Sequence, residues 1–407
     1  MIFSNDFLKA IPKTDLHFHI DGSLRLSTLI ELAKEQRISL PSNTEEGMEE
    51  LVFKKKYDDL PDYLRGFDYI CAVMQNAEAL ERVSYELAID CAAENVCYIE
   101  PRFAPQKHRT RTLTTEKILK AVDKGLNSAK KDINKREDIK KGVFPPFEYG
   151  IIGCAMRMFT AEFSDYYRTL VGIHPTMPER ERFGMAALDL IRELIEARDQ
   201  HGIHVIGFDI AGAEAGYPAE YFREAFDVAH RHFLKKTVHA GEAYGPASIF
   251  QALTECHAER IGHGTHLFDE NMVDLPNKEE RKRYVESLWQ YIADSRITIE
   301  VCLTSNQQTM PKLKDLSKHP FGEMLKKKLS TTICTDNRLI SRTTVTNELE
   351  LATSNFDISP DQLKNIIIYG FKRSFYPGPY PEKRAYVRKV IDCYDRIKEK
   401  SHVACSM

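Results

Sequence analysis

Eight short apolar runs, most of them separated by helical patterns, constrain this 407-residue chain more than any other feature. The runs are Thr14–Ile20, Val96–Phe103, Tyr149–Met158, His204–Ile210, Lys236–Ala240, Arg260–His263, Thr298–Leu303 and Thr331–Thr335. Several are apolar almost throughout, which is the pattern of parallel strands covered on both faces. Between them, Met185–Arg198, Tyr221–Phe233 and Arg281–Ile292 carry apolar residues on one helical face. Strands alternating with helices predict an α/β fold with a parallel sheet, and eight such units predict closure into a (β/α)8 TIM barrel. An open doubly wound sheet is the alternative. Two helix starts are legible, Thr28 with Glu31 in capping-box spacing and Ser359-Pro360 with Gln362.

Barrels of this type run to roughly 250–400 residues as one domain, so residues 1–407 are expected to form a single barrel domain. The connection 21–95 is unusually long and carries helical patterns. An insertion there would sit over the mouth of the barrel, as a lid does. The proline-rich segment 376–381 precedes a last amphipathic helix, Ala385–Lys398.

Composition excludes several classes of function. A net charge of −3 makes no case for nucleic acid or an anionic membrane surface. The basic stretch Lys130–Lys141 is broken by Asp132, Glu137 and Asp138 and reads as a solvated face. Nine cysteines, an odd count without a C-x-x-C pair, suit reduced thiols. Met1–Lys9 has no apolar run of signal-peptide length, and no window is apolar enough to span a membrane. The expectation is a soluble, cytoplasmic protein.

Four clusters can carry chemistry. Asp15, His17, His19 and Asp21 alternate along the first strand, and residues two apart on a strand point to one face. Two imidazoles there can converge on one ion, or can pack as ordinary hydrogen-bonded histidines. So much polarity on one face is costly to bury without an ion or partners. His239, at the end of the fifth strand, is followed by Ala240-Gly241 and by the carboxyl of Glu242. His263 ends the sixth strand between Gly262 and Gly264, which leave room for a substrate or another backbone. Asp336 and Asn337 follow the eighth strand, where an aspartate can also be a helix cap. Each has a structural reading on its own, yet all four lie at the C-terminal ends of predicted barrel strands. Active sites of this fold are assembled at that rim.

Other metal or nucleotide motifs are missing: there is no H-E-x-x-H and no P-loop. His257-Ala258-Glu259 supplies only the H-x-E half of the cytidine-type zinc deaminase signature, with no P-C-x-x-C after it, and reads as a helix surface.

The segment Pro12-Lys13-Thr14-Asp15-Leu16-His17-Phe18-His19-Ile20-Asp21-Gly22 resembles the opening motif of the adenosine deaminase family. Residues 207–212 (GFDIAG), 237–242 (TVHAGE), 261–264 (IGHG) and Thr335-Asp336 resemble its later motifs, in the same order. The resemblance implies one zinc ion per subunit, held by His17, His19, His239 and Asp336, although composition admits iron, manganese or cobalt. It implies hydrolytic deamination of a small-molecule purine nucleoside, adenosine or 2′-deoxyadenosine, to inosine-type product and ammonia. Glu242, with a pKa raised by desolvation, would protonate purine N1. His263 would orient the attacking water and stabilise developing charge, and Asp336 would accept its hydrogen bond. His19 and Asp21 would meet the substrate, Asp21 at the ribose 5′-hydroxyl, and the Gly212 N–H would meet purine N3. Asn337 departs from a second aspartate found in many members and resembles bacterial ones. Its amide can donate to N7 without being protonated. Two alternatives remain: a sister enzyme acting on adenine, AMP or another 6-aminopurine, and a non-catalytic purine-binding barrel. The sequence does not set the oligomeric state.

Overall fold

Parallel neighbours need long crossover connections, and the chain supplies them in the form of helices. The computed structural model describes residues 3–57, 60–310 and 313–404. Its strands are β1 (Lys13–His19), β2 (Val96–Phe103), β3 (Glu148–Tyr149), β4 (Ile151–Met156), β5 (Val205–Ala211), β6 (Lys235–Ala240), β7 (Arg260–His263), β8 (Thr298–Val301) and β9 (Ser330–Ile333). They are hydrogen-bonded in the order β1-β2-β4-β5-β6-β7-β8-β9, with β3 beside β2, and every pairing is parallel. The ring closes just past β9: the His19 N–H donates to the Asp336 carbonyl at 2.7 Å, and the Asp336 N–H donates to that of His17 at 2.8 Å. The fold is therefore a (β/α)8 barrel and not an open sheet.

The predicted third strand is divided in two at Gly150. A Cβ there would meet Ile206 Cδ1 at 2.4 Å, so the close approach of β5 favours glycine, whose N–H still donates to the Ile99 carbonyl of β2 at 3.1 Å. Strands β1, β2 and β5 are buried along their whole length, as doubly covered strands must be.

Helices occupy the expected places: Glu179–His201, Lys278–Asp294 and Tyr380–Ala404 contain predicted segments. The Tyr221–Phe233 pattern is realised as a 3-10 turn, Ala219–Phe222, and a helix, Arg223–Arg231. Phe233 lies beyond that helix and is 89% exposed. Ser359 and Gln362 form the capping box of Pro360–Arg373, with both reciprocal hydrogen bonds present. The Thr28–Glu31 box is not formed. Leu26–Gln36 begins after Arg25 without a side-chain cap, because Thr28 donates to Glu86 and Glu31 pairs with Arg82. His257 and Glu259 lie in a loop and not on a helix, where they meet Asp227 and Lys235.

Between β1 and β2 run the helices Leu26–Gln36, Glu45–Leu51, Leu60–Val73 and Ala77–Ala93. This segment reaches the C-terminal rim, where Tyr57 donates to the Ile340 carbonyl at 2.7 Å and Tyr63 receives a hydrogen bond from Asn337 at 2.9 Å. The eight described cysteines are free and buried. Among the described residues no helix is long and apolar enough to cross a membrane.

Candidate active site

Four ligand-bearing side chains converge on one point at the C-terminal rim. The ligand atoms of His17, His19, His239 and Asp336 all lie within 4.8 Å of one another, and all four residues are buried. Nε2 of His19 and Nε2 of His239 are 3.2 Å apart, and Asp336 Oδ1 stands 3.5 Å from Nε2 of both His17 and His19. Nε2 of His17 is buried without a hydrogen-bond partner. Three imidazole nitrogens and a carboxylate oxygen directed at one point, one nitrogen with nothing to bond, form a donor set that fits a divalent metal ion.

Three of these ligands are oriented through their second atoms. Nδ1 of His17 meets Glu300 Oε2 at 2.8 Å, and Nδ1 of His239 faces Asp209 Oδ2 at 2.9 Å, so each Nε2 is left for the centre. Ser305 donates to Asp336 Oδ2 at 2.5 Å, which turns Oδ1 inward. Burial pushes the His19 imidazole well below its usual pKa, against the opposing charge of Asp336, and keeps it neutral as a ligand must be. Burial alone would raise Asp336, but the surrounding imidazoles, His17 first and then His263 and His19, outweigh it and hold the carboxyl far below the usual range.

Asp336 and His263 both adopt left-handed backbone, with φ of 61° and 66°. Few non-glycine residues do so, and the conformation at Asp336 is held by its two barrel-closing hydrogen bonds. Gly262 makes room for a ligand: a Cβ there would meet His17 Cε1 at 2.9 Å. The space that the glycines provide beside His263 is thus taken up partly by the His17 ring.

Beneath the rim lies a buried ionic network. Glu300 accepts from Arg260 Nε at 2.6 Å, Arg102 at 3.0 Å and Thr237 at 3.0 Å, besides meeting His17. Arg102 also donates to Asp209 at 2.8 Å. All of these groups are fully or almost fully buried. Burial would raise the Glu300 carboxyl, yet the charges of Arg102 and Arg260 hold it well below its ordinary value. It therefore stays a carboxylate and can fix the orientation of His17.

Glu242 stands in the loop after β6, its Oε2 3.7 Å from His263 Nε2 and its side chain 25% exposed. That loop is gathered by a residue sequence reasoning missed. Glu214, 4% exposed, accepts the backbone N–H groups of Gly241 (2.8 Å), Glu242 (2.9 Å), Ala243 (2.6 Å) and Tyr244 (3.0 Å), and the hydroxyl of Ser248. Burial pushes this carboxyl up, but Arg157, Ser248 and the backbone donors bring it net below its usual value.

The remaining expected residues have different surroundings. Asp21 is not on the strand; it sits in the 3-10 turn Ile20–Gly22, buried, with Oδ1 unpartnered. Asp15 turns away from the four ligands to accept from Thr335 Oγ1 at 2.6 Å. Gly212 has φ +96°, so a side chain there would be strained. Asn337 gives Nδ2 to the Tyr63 hydroxyl and leaves Oδ1 without a partner.

A closed (β/α)8 barrel bearing three histidines and an aspartate around one point at its C-terminal rim defines a metal-dependent hydrolase of the amidohydrolase type. The model of the adenosine deaminase family matches residues 12–393. Adenosine deaminase 1 of Streptomyces coelicolor is 32% identical over 95% of this chain and 88% of its own length. The adenosine deaminase of Vibrio atlanticus is 33% identical over 91% of this chain and 95% of its own. The chain belongs to the adenosine deaminase family, a family of metal-dependent hydrolytic deaminases. Among solved structures, the N6-methyl-AMP deaminase of Arabidopsis thaliana superimposes with a TM-score of 0.72 at 23% identity, over 96% of this chain and 98% of that one. Adenine deaminase of Arthrobacter aurescens gives 0.72 at 21% identity, over 94% and 99%. These two share the fold.

Proposed function

We propose that this protein hydrolyses adenosine, and 2′-deoxyadenosine, to the 6-oxo nucleoside and ammonia. The observation that carries the reading is the convergence of His17, His19, His239 and Asp336 beside Glu242 and His263. These four residues would hold one zinc ion, which when bound supplies an activated water for attack at purine C6.

The chain's own groups do the rest. Glu242, once bound purine covers its exposed edge, donates a proton to N1, and C6 becomes amidine-like and open to attack. His263 presents Nε2 to the incoming oxygen, and the inward Asp336 Oδ1 orients it. The Gly212 N–H would meet N3, and the second N–H of the Asn337 amide would serve N7. The helices of residues 21–95 cover the mouth as a lid within a single domain.

Asp21 would accept the ribose 5′-hydroxyl. Burial raises its pKa, and the Lys107 ammonium, which lies over the Phe67 and Phe163 rings at 5.6 and 5.8 Å, opposes that rise. This cation favours a second reading, in which a 5′-phosphorylated purine is accepted. The test is turnover of adenosine, 2′-deoxyadenosine, adenine and AMP by the metal-loaded enzyme, with metal identity read by elemental analysis. Adenosine is expected to give the highest kcat/KM. Preferential turnover of adenine or AMP would refute the role of Asp21. Free buried thiols suit a reducing, cytoplasmic location.

A further inference from the structure

Behind His263 runs a buried chain of hydrogen bonds whose direction is fixed from its far end. The Phe321 backbone N–H donates to Nδ1 of His319 at 3.1 Å. A backbone amide can only donate, so Nδ1 of His319 is an acceptor, and the neutral ring carries its proton on Nε2. Burial pushes the His319 pKa down to about 3, so the ring is neutral at ordinary pH. Its Nε2 lies 3.1 Å from Asn306 Oδ1, which therefore accepts. The other end of that amide, Nδ2, lies 3.0 Å from Nδ1 of His263 and has only hydrogens to offer. Nδ1 of His263 is then an acceptor in its turn, and the His263 proton sits on Nε2, the nitrogen 3.7 Å from Glu242. Asn306 is fully buried and His319 is 2% exposed, so water does not compete for either.

We propose that Asn306 and His319 are positioning residues that lock His263 in its Nε2–H tautomer, so that it faces the reacting oxygen as a hydrogen-bond donor and not as a base. The helix Leu303–Thr309 then serves the site twice, Ser305 orienting Asp336 and the next residue, Asn306, orienting His263. The catalytic consequence rests on the deaminase reading; the tautomer itself does not.

The test separates the two. Long-range 15N–1H spectra of the histidine-labelled holoenzyme, assigned with a His263→Asn reference, should give a protonated Nε2 and an unprotonated Nδ1 for His263. The reverse pattern overturns the proposal, whatever the substrate. Asn306→Asp is nearly isosteric but offers only acceptors, so Nδ1 of His263 must carry a proton, which the neutral ring supplies only by giving up Nε2–H. Its kcat on adenosine should fall about 10²-fold, the loss typical of one oriented donor, with KM changed less than about threefold. His319→Leu should fall similarly, because the Asn306 amide is then free to flip. His319→Gln, which can return an N–H to Asn306, should recover kcat to within about fivefold of the wild type. Asn306→Asp with wild-type kcat, a loss confined to KM, or no recovery in His319→Gln while metal content is full would each refute the lock. Should the wild type prove inert on adenosine, the spectra alone decide.

Discussion

Glu214→Gln is the perturbation that best separates positioning from chemistry, because Glu214 contacts the loop of the proposed acid through backbone atoms only. Its Oε2 accepts three N–H groups, from Glu242, Ala243 and Tyr244, and its Oε1 accepts Gly241 N–H and the Ser248 hydroxyl. In glutamine, one oxygen becomes an NH2. The better arrangement puts it at the Oε1 position, where the Ser248 hydroxyl can rotate to accept but the Gly241 N–H then opposes a donor. One buried N–H without a partner costs about 1–3 kcal/mol. The other three bonds change from a charged to a neutral acceptor, at about 1 kcal/mol each. Arg157, buried beside this carboxylate, also loses a counter-charge. The sum is about 4–6 kcal/mol if the loop holds still, and the loop relieves it by moving, which carries Glu242 away from purine N1. Displacements on the order of 1 Å at a reacting group cost about 10²-fold in rate. The expected result is kcat on adenosine lowered about 10²-fold, full metal content by elemental analysis, and a urea midpoint lowered by less than the full sum implies. Wild-type kcat in a folded, metal-replete variant would refute the claim that Glu214 sets the position of Glu242.

Three further outcomes can be checked. Asp336→Ala should lose most bound metal by elemental analysis, and full occupancy would remove it from the ligand set. Glu242→Gln should keep the metal while nearly abolishing turnover; an unchanged kcat would end its role at N1. Glu348 is fully buried, and burial raises its pKa from 4.5 to about 7. A raised carboxyl stabilises the fold fully below its unfolded pKa and loses that contribution as pH rises towards the folded one, here between about 4.5 and 7 at a total of about 3 kcal/mol. Glu348→Gln should flatten the decline of urea-measured stability across that window, since Thr304 and Thr343 hydroxyls can accept from its amide. An unchanged slope would assign the decline elsewhere.

The barrel was legible because its signal is local. Buried parallel strands are written as continuous apolar runs, and each run can be read without knowing its neighbours. His17, His19, His239, His263 and Asp336 were legible for a related reason, since each stands at the end of such a run, where the fold builds its sites. Boundaries set by packing between distant segments were not. Gly150, at the division of a predicted strand, is packed against Ile206 in another, and Thr28 is drawn from its cap by Glu86 on the neighbouring helix. The groups that orient the ligands were hidden by the same cause. Glu300 is one carboxylate in a four-residue strand, and nothing near it in the chain says that His17, Arg102, Arg260 and Thr237 will all reach it. A signal existed nonetheless: Glu100, Arg102, Asp209, Arg260 and Glu300 are charges inside otherwise buried strands. A buried charge points to a partner elsewhere in the fold, since leaving one member of such a pair uncompensated costs about 3–5 kcal/mol. Five of them, two positive and three negative, directed into one barrel beneath a cluster of imidazoles, constitute the scaffold that keeps the His17 and His239 nitrogens aimed at the centre. The expensive residues in the strands therefore mark the orientation of the site, as the histidines at their ends mark its position.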